Sequence, residues 1–476
     1  MNIVQTIRNE TRDHLHRTAI IDGDRRITYG DLLDQVDQLA TTLASRGIAA
    51  GHRIGLHSGD GIDYVIAALA LLQTGAALVP IADNITAMEV DETIDRIDLQ
   101  GVLIHAKIKR PPNQQSTAME QSAEKISDVF SFQPRQARGE ADANCRAMGA
   151  AFIRFSSGTT GASKGVVLSH QSIIDRTDAA NRGLGITSAD VILWVLSMSY
   201  HFVVSILLFL RRGATIVVAN QFFPFSLLSA ATKHPITFIY ASPVHYHLLG
   251  QSDAVKPEAL KNVRLAISTA MKMPPNVSQR FAEKFGFAPA EAYGIIEIGL
   301  PFINTQPRAT PLPSVGPALP DYQLQIANPD ADGIGEVLIK GRGMFDAYFS
   351  PWRTLAEVTD DGWFDTGDLG KLDDQGRLYL LGRSKTVLVC AGMKVFPEEV
   401  EQVINTMPGV KESLVSGKDH PQFGQMPIAR VVVSTNIDTG ELRNYCCQKL
   451  SSYKVPVEFS IVDSLPKTAS GKLARK

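Results

Sequence analysis

Small residues, hydroxyls and one cation crowd into a single stretch, Phe152-Ile-Arg-Phe-Ser-Ser-Gly-Thr-Thr-Gly-Ala-Ser-Lys-Gly-Val-Val, ending at Val167. An apolar run gives way to glycines at 158, 161 and 165, hydroxyls on Ser156, Ser157, Thr159, Thr160 and Ser163, and the ammonium of Lys164. Small residues let backbone N–H groups approach an anion, hydroxyls donate further hydrogen bonds and lysine adds charge, a combination suited to a polyphosphate. The spacing is not that of the common nucleotide-triphosphatase loop. Counted from Gly158, Ser163 stands where the second glycine is required and Gly165 where Ser or Thr is. A surface turn rich in Gly, Ser and Thr is the competing reading of the same composition.

The elements around this loop follow an α/β rhythm. Leu32, Val36, Leu39 and Leu43 recur at helical spacing between Thr28, a cap, and Gly47. The spacing then predicts a strand over His52–Ser58, a helix over Asp63–Thr74 and a strand over Ala77–Ile81. Residues 107–148 turn polar and read as a surface connection. Apolar segments at 151–155, 191–196, 215–219, 237–240 and 264–267 predict a second α/β layer. From Gly316 onward turn signals such as Asp332-Gly333, Gly335-Glu336 and Asp361-Gly362 point to hairpins. After Arg383 come a strand over 386–389, a helix opening at Pro397 and a strand over Ile428–Ser434, the marks of a separate C-terminal module.

Composition narrows the function. The chain has 476 residues, too many for one ordinary domain, and its formal net charge of -2 offers no basic surface for nucleic acid. The first sixteen residues carry Arg8, Glu10, Arg12 and Asp13 rather than an apolar core, so a cytoplasmic location is expected. Tyr64–Ala82 is divided by Gln73, Thr74 and Gly75 and reads as helix, turn and strand rather than a membrane span. Four cysteines, Cys145, Cys390, Cys446 and Cys447, show no Cys-x-x-Cys pairing and suit a reducing compartment without disulfides or a cysteine-held metal.

The loop Ser156–Gly165 resembles the phosphate loop of the adenylate-forming superfamily, the acyl-CoA synthetases, peptide-synthetase adenylation domains and beetle luciferases. Further segments resemble that family in its order: 26–32, 72–80, Tyr293-Gly-Ile-Ile-Glu, Phe364-Asp-Thr-Gly-Asp-Leu, Gly382-Arg-Ser-Lys and Lys467-Thr-Ala-Ser-Gly-Lys, together spanning residues 26–472. Single motifs are weak, but their ordered recurrence is specific. The resemblance implies an α/β fold with a large body, 1–384, made of two α/β subdomains and a β-barrel-like subdomain. A small mobile α/β lid, 385–476, would follow, with its hinge at Lys385. It implies ATP bound by Ser156, Ser157, Gly158, Thr159, Thr160, Gly161 and Lys164. Ala292, Tyr293 and Gly294 would border the adenine, Asp368 would serve the ribose, and Arg383 would add a ribose or phosphate contact. Glu297 would hold Mg²⁺, Lys472 would act as the adenylation lysine, and His201 would sit beside the acyl pocket, where a core histidine is the competing reading.

The implied reaction is ATP-dependent conversion of a carboxylic acid to acyl-AMP, then thioester formation with coenzyme A. A carrier-protein phosphopantetheine is the alternative acceptor, and a regulatory nucleotide-binding pseudoenzyme the alternative of a different class. No acidic residue lies in Tyr200–Leu210 to pair with a substrate ammonium, which favours an acid without an α-amine. Phe202–Leu210 and Gln221-Phe-Phe-Pro-Phe suggest apolar pocket walls or core. Three departures from the family pattern stand out: Ile296 where a phosphate-binding Thr is usual, Ser268-Thr-Ala where a Gly-rich turn is, and Ala391 in place of a glycine.

Overall fold

The computed structural model describes residues 1–83, 85, 87–108, 123–136, 142–155, 164–220, 222–270, 272–305, 314–390, 393–420, 424–467 and 473–474. Four sheets organise it, and two form the α/β body. In the eight-stranded sheet, five consecutive pairings are parallel. They run from Thr18–Asp22 through Thr215–Val218, Val191–Trp194, Phe238–Ala241 and Leu265–Ser268 to Ala290–Tyr293. In the nine-stranded sheet, Ala150–Phe155, Ala77–Ile81, Arg53–His57 and Gly101–His105 are parallel neighbours. Strands buried on both faces read as continuous apolar runs, which is why most of these segments were legible, although Thr18–Asp22, Gly101–His105 and Ala290–Tyr293 were not picked out from sequence.

The helix after Thr28 spans Tyr29–Ser45, and the Thr28 side chain caps it by accepting from Asp31 N at 3.1 Å, worth ~1 kcal/mol. Its Leu32, Val36 and Leu43 are buried. The next helix runs Ile62–Gln73, and the strand Ala77–Ile81 lies where the spacing put it. Among the described residues no helix is long and apolar enough to cross a membrane.

Residues 107–148 correct the sequence reading. Phe130–Pro134 is a strand paired antiparallel with Gly101–His105, and a helix covers Asp142–Met148. Phe130 and Phe132 alternate with polar residues and are buried, a period-two signal masked by the surrounding polarity. The two apolar stretches also part company. Phe202 and Leu207–Leu210 are buried core, whereas Phe222 and Phe225 are 85 % and 77 % exposed. Gly335-Glu336 opens a strand, Gly335–Gly341, rather than a turn, while Asp332-Gly333 lies in the hairpin loop before it.

A five-stranded antiparallel sheet follows the α/β body, with Phe364–Leu372 at its centre between Gly335–Gly341 and Leu378–Arg383. Beyond it, a five-stranded sheet of 388–461 packs with helices Pro397–Asn405 and Thr439–Cys447 around a core of its own that includes Val395, Val400, Val431 and Leu442. Proline at the first position opens the former helix, and Glu398 and Glu399 in its first turn suit the positive end of the helix dipole.

Candidate active site

The strand Ala290–Tyr293 ends the parallel run of its sheet, and the chain reverses before Phe302–Ile303 pairs antiparallel beside it. That reversal presents Glu297. It depends on Gly294, because a Cβ there would stand 2.1 Å from Gly299 O. Glu297 is buried; its carbonyl accepts from Phe345 N at 2.7 Å and its Oε1 from Tyr348 Oη at 3.4 Å. Burial pushes its carboxyl pKa up, opposed by its own backbone N–H and by the guanidinium of Arg154. Tyr348 reaches the site because its two-residue strand pairs with Gly165–Ser169, Tyr348 opposite Val166. Its ring also lies beneath the Lys164 ammonium, 4.6 Å from the centroid. Lys164, Tyr348 and Glu297 therefore form one linked group.

A second group is built by sheet register. Asp368 and Arg383 are cross-strand partners, joined by an ion pair of 2.8 Å between Nε and Oδ1. Tyr293 Oη donates to the other oxygen, Oδ2, and Arg383 Nη1 donates to Thr366 O at 3.2 Å. Burial raises the Asp368 pKa, and Arg383 and the Tyr293 hydroxyl oppose it. Each carboxylate oxygen keeps lone-pair capacity for a further donor.

Both groups border one cavity of about 1570 Å³. Lys164, His201, Ala292, Tyr293, Gly294, Glu297, Arg383 and Lys385 line it, and Asp368 joins its wall through Tyr293 and Arg383. Two of the departures, Ile296 and Ser268–Ala270, line it too. His201 ends the short helix Met198–His201, its ring 6.3 Å from Trp194 and 6.5 Å from Tyr240, which are themselves stacked at 5.7 Å. Lys467 also borders the cavity and is ion-paired with Glu412 at 2.9 Å.

Ser156, Ser157, Gly158, Thr159, Thr160, Gly161, Ala391 and Lys472 lie outside the described residues. The strands on either side of the loop, Ala150–Phe155 and Gly165–Ser169, are antiparallel neighbours with Phe155 opposite Gly165, and Phe155 and Lys164 both reach the cavity. Sequence reasoning missed Tyr348, Arg154 and Arg176. The signal for the arginines was a charge set among apolar residues. Arg154 falls within an apolar strand, and Arg176 falls on the buried face of His170–Leu184 with Ile173 and Ala180.

Comparison with known proteins places this geometry. A 3-[(3aS,4S,7aS)-7a-methyl-1,5-dioxo-octahydro-1H-inden-4-yl]propanoyl:CoA ligase of Rhodococcus jostii is 28% identical, over 98% of this chain and 96% of that protein. A feruloyl-CoA synthase of Amycolatopsis is 26% identical over 97% of this chain and 95% of its own length. The crystal structure of ATP-bound MatB from Rhodopseudomonas palustris superposes with a TM-score of 0.82 at 25% identity, covering 100% of this chain and 97% of that one. For the Bacillus subtilis o-succinylbenzoate CoA synthetase MenE with its acyl-adenylate, the TM-score is 0.83 at 24% identity over 100% of this chain and 97% of that one, a likeness of fold. Residues 7–349 match the AMP-binding enzyme family and residues 399–472 match the AMP-binding enzyme C-terminal domain, so the chain belongs to the AMP-binding enzyme family.

Proposed function

We propose that this enzyme activates a carboxylic acid with ATP as acyl-AMP and transfers the acyl group to the thiol of coenzyme A, releasing AMP. The observation that carries this reading is the convergence on one cavity of Lys164–Tyr348–Glu297 and Tyr293–Asp368–Arg383, a phosphate-suited cation and carboxylate beside a ribose-suited carboxylate. The curated relatives compared above are named as CoA ligases or synthases.

In this mechanism Lys164 and the loop Ser156–Gly161 hold the ATP phosphates, Ala292–Gly294 border the adenine, and Asp368 accepts from the ribose hydroxyls with Arg383 fixing its orientation. Glu297 fits Mg²⁺ as a single hard-oxygen ligand: it is one buried carboxylate at the cavity wall, and no cage of three acidic, His or Cys side chains occurs among the described residues. Bound there, the ion would neutralise phosphate charge. A carboxylate oxygen attacks the α-phosphorus and the bond to pyrophosphate breaks. Lys472 offsets the charge on the departing group. Residues 385–476 then turn as a lid about Lys385, the thiol sulfur attacks the activated carbonyl, and AMP leaves with the bonding electron pair. His201 borders the acyl side, where Trp194 and Tyr240 hold its ring.

A panel of aliphatic and aromatic acids, scored for AMP release with and without coenzyme A, tests the reading. Acid-dependent AMP release stimulated by coenzyme A supports it; ADP formation, or no acid dependence, overturns it.

A further inference from the structure

Two arginines border the cavity without a salt bridge among the described residues, and Glu297 acts on both only at longer range. Arg176 is fully buried in the helix His170–Leu184. Its Nε donates to Gly343 O and its Nη1 to Ile296 O, each at 3.0 Å, and its Nη2 has no partner among the described residues. Arg154 donates from Nη1 to Tyr200 O and lies 5.5 Å from the Tyr200 ring centroid, while its buried Nε has no partner among the described residues. Neither is ion-paired among the described residues. Glu297 and Asp346 act on Arg176 only at longer range, and the two arginines repel each other. The Asp346 oxygens are engaged elsewhere, by Ser169 N at 2.6 Å and Ser169 Oγ at 3.1 Å.

Burying the Arg176 guanidinium fully without an ion pair is costly, and an anion bound in the cavity beside it and Arg154 would offset that cost. Burial pulls the Arg176 pKa to about 10, which leaves it charged at neutral pH. Arg176 also stands beside Gly299, where an added Cβ would lie 3.5 Å from the Arg176 Cβ, and both residues line the cavity.

We propose that the acid this enzyme takes carries a second carboxylate, received by Arg176 with Arg154 adding to the same field. The inference rests on the reading of the chain as an acid-activating enzyme and names its substrate class.

Calorimetric binding to the full chain, saturated with unreactive α,β-methylene-ATP, tests it. The probes are the α,ω-diacids from malonate to suberate against monoacids of equal length, and 3-(2-carboxyphenyl)propanoate against 3-phenylpropanoate. The wild type is expected to bind its best diacid about tenfold or more tighter than the matched monoacid, the range of one charge-assisted hydrogen bond. Arg176→Met should abolish that preference without changing affinity for the nucleotide analogue. Arg176→Lys should retain part of the preference, and Arg154→Met should reduce it without touching the Gly343 and Ile296 contacts. Equal binding of diacids and monoacids by the wild type overturns the proposal. So does an Arg176→Met variant that weakens the nucleotide and leaves the acid ranking intact, since the arginine would then serve the phosphates. A diacid preference in binding without ATP–pyrophosphate exchange would support the inference while refuting the proposed reaction, so the two fail separately.

Discussion

Asp368→Asn keeps the shape of the side chain and removes its charge at the position assigned to the ribose. In the structure Asp368 Oδ1 faces Arg383 Nε at 2.8 Å and Oδ2 accepts from Tyr293 Oη. A hydrogen bond to a charged acceptor contributes about 1.5–3 kcal/mol and a neutral one about 1. Losing the difference for two ribose hydroxyls amounts to about 1–4 kcal/mol, or roughly 5- to 1000-fold in kcat/KM for ATP. Stability should move far less. Burial raises the Asp368 pKa, so the ionised form is disfavoured in the fold relative to the unfolded chain, and a neutral amide forfeits no net gain from ionisation. The released Arg383 side chain is 39% exposed, so water can replace its partner and the loss stays below about 1 kcal/mol. ATP–pyrophosphate exchange with ATP and with 2′-deoxy-ATP isolates the ribose contact. The wild type should lose activity on removal of the 2′-hydroxyl, and the variant should lose about tenfold less. An identical 2′-deoxy penalty in both proteins refutes the role of Asp368, and a collapsed melting transition would show that the residue is structural.

Gly294→Ala places a Cβ 2.1 Å from Gly299 O, so the turn that carries Glu297 must shift; adenylation should fall at least tenfold with a destabilisation of about 1–3 kcal/mol, read by exchange assay and thermal melting. Lys385→Pro fixes φ at the proposed hinge, so pyrophosphate exchange should persist while thioester formation collapses, and equal loss of both would point to general damage. Lys472→Ala should lower acyl-AMP formation by about a hundredfold or more and leave thiol transfer from supplied acyl-AMP nearly unchanged; parallel loss of both half-reactions contradicts the role of that lysine.

What could be read from sequence follows a physical divide. Parallel strands buried on both faces, helix caps such as Thr28 and the proline opening at Pro397 are local signals, and the structure places them within a few residues of expectation. Tyr348 was invisible because its place over Lys164 arises from strand pairing between segments about 180 residues apart, which no local pattern encodes. The Asp368–Arg383 contact depends on register across one sheet, although each residue was a candidate on its own. Arg154 and Arg176 were not singled out, because periodicity reports which face is buried and not what cavity lies against it. Phe222 and Phe225 show the converse, an apolar run that the fold leaves outside.

The most direct test of acyl adenylation follows oxygen. With an acid that supports AMP release, both carboxylate oxygens are labelled with ¹⁸O, and the AMP, pyrophosphate and thioester are analysed by mass spectrometry. Attack of the carboxylate on the α-phosphorus followed by cleavage of the acyl–oxygen bond leaves one ¹⁸O in AMP, one in the thioester carbonyl and none in pyrophosphate. Unlabelled AMP, or label in a phosphate derived from the γ-position, would contradict an acyl-adenylate intermediate.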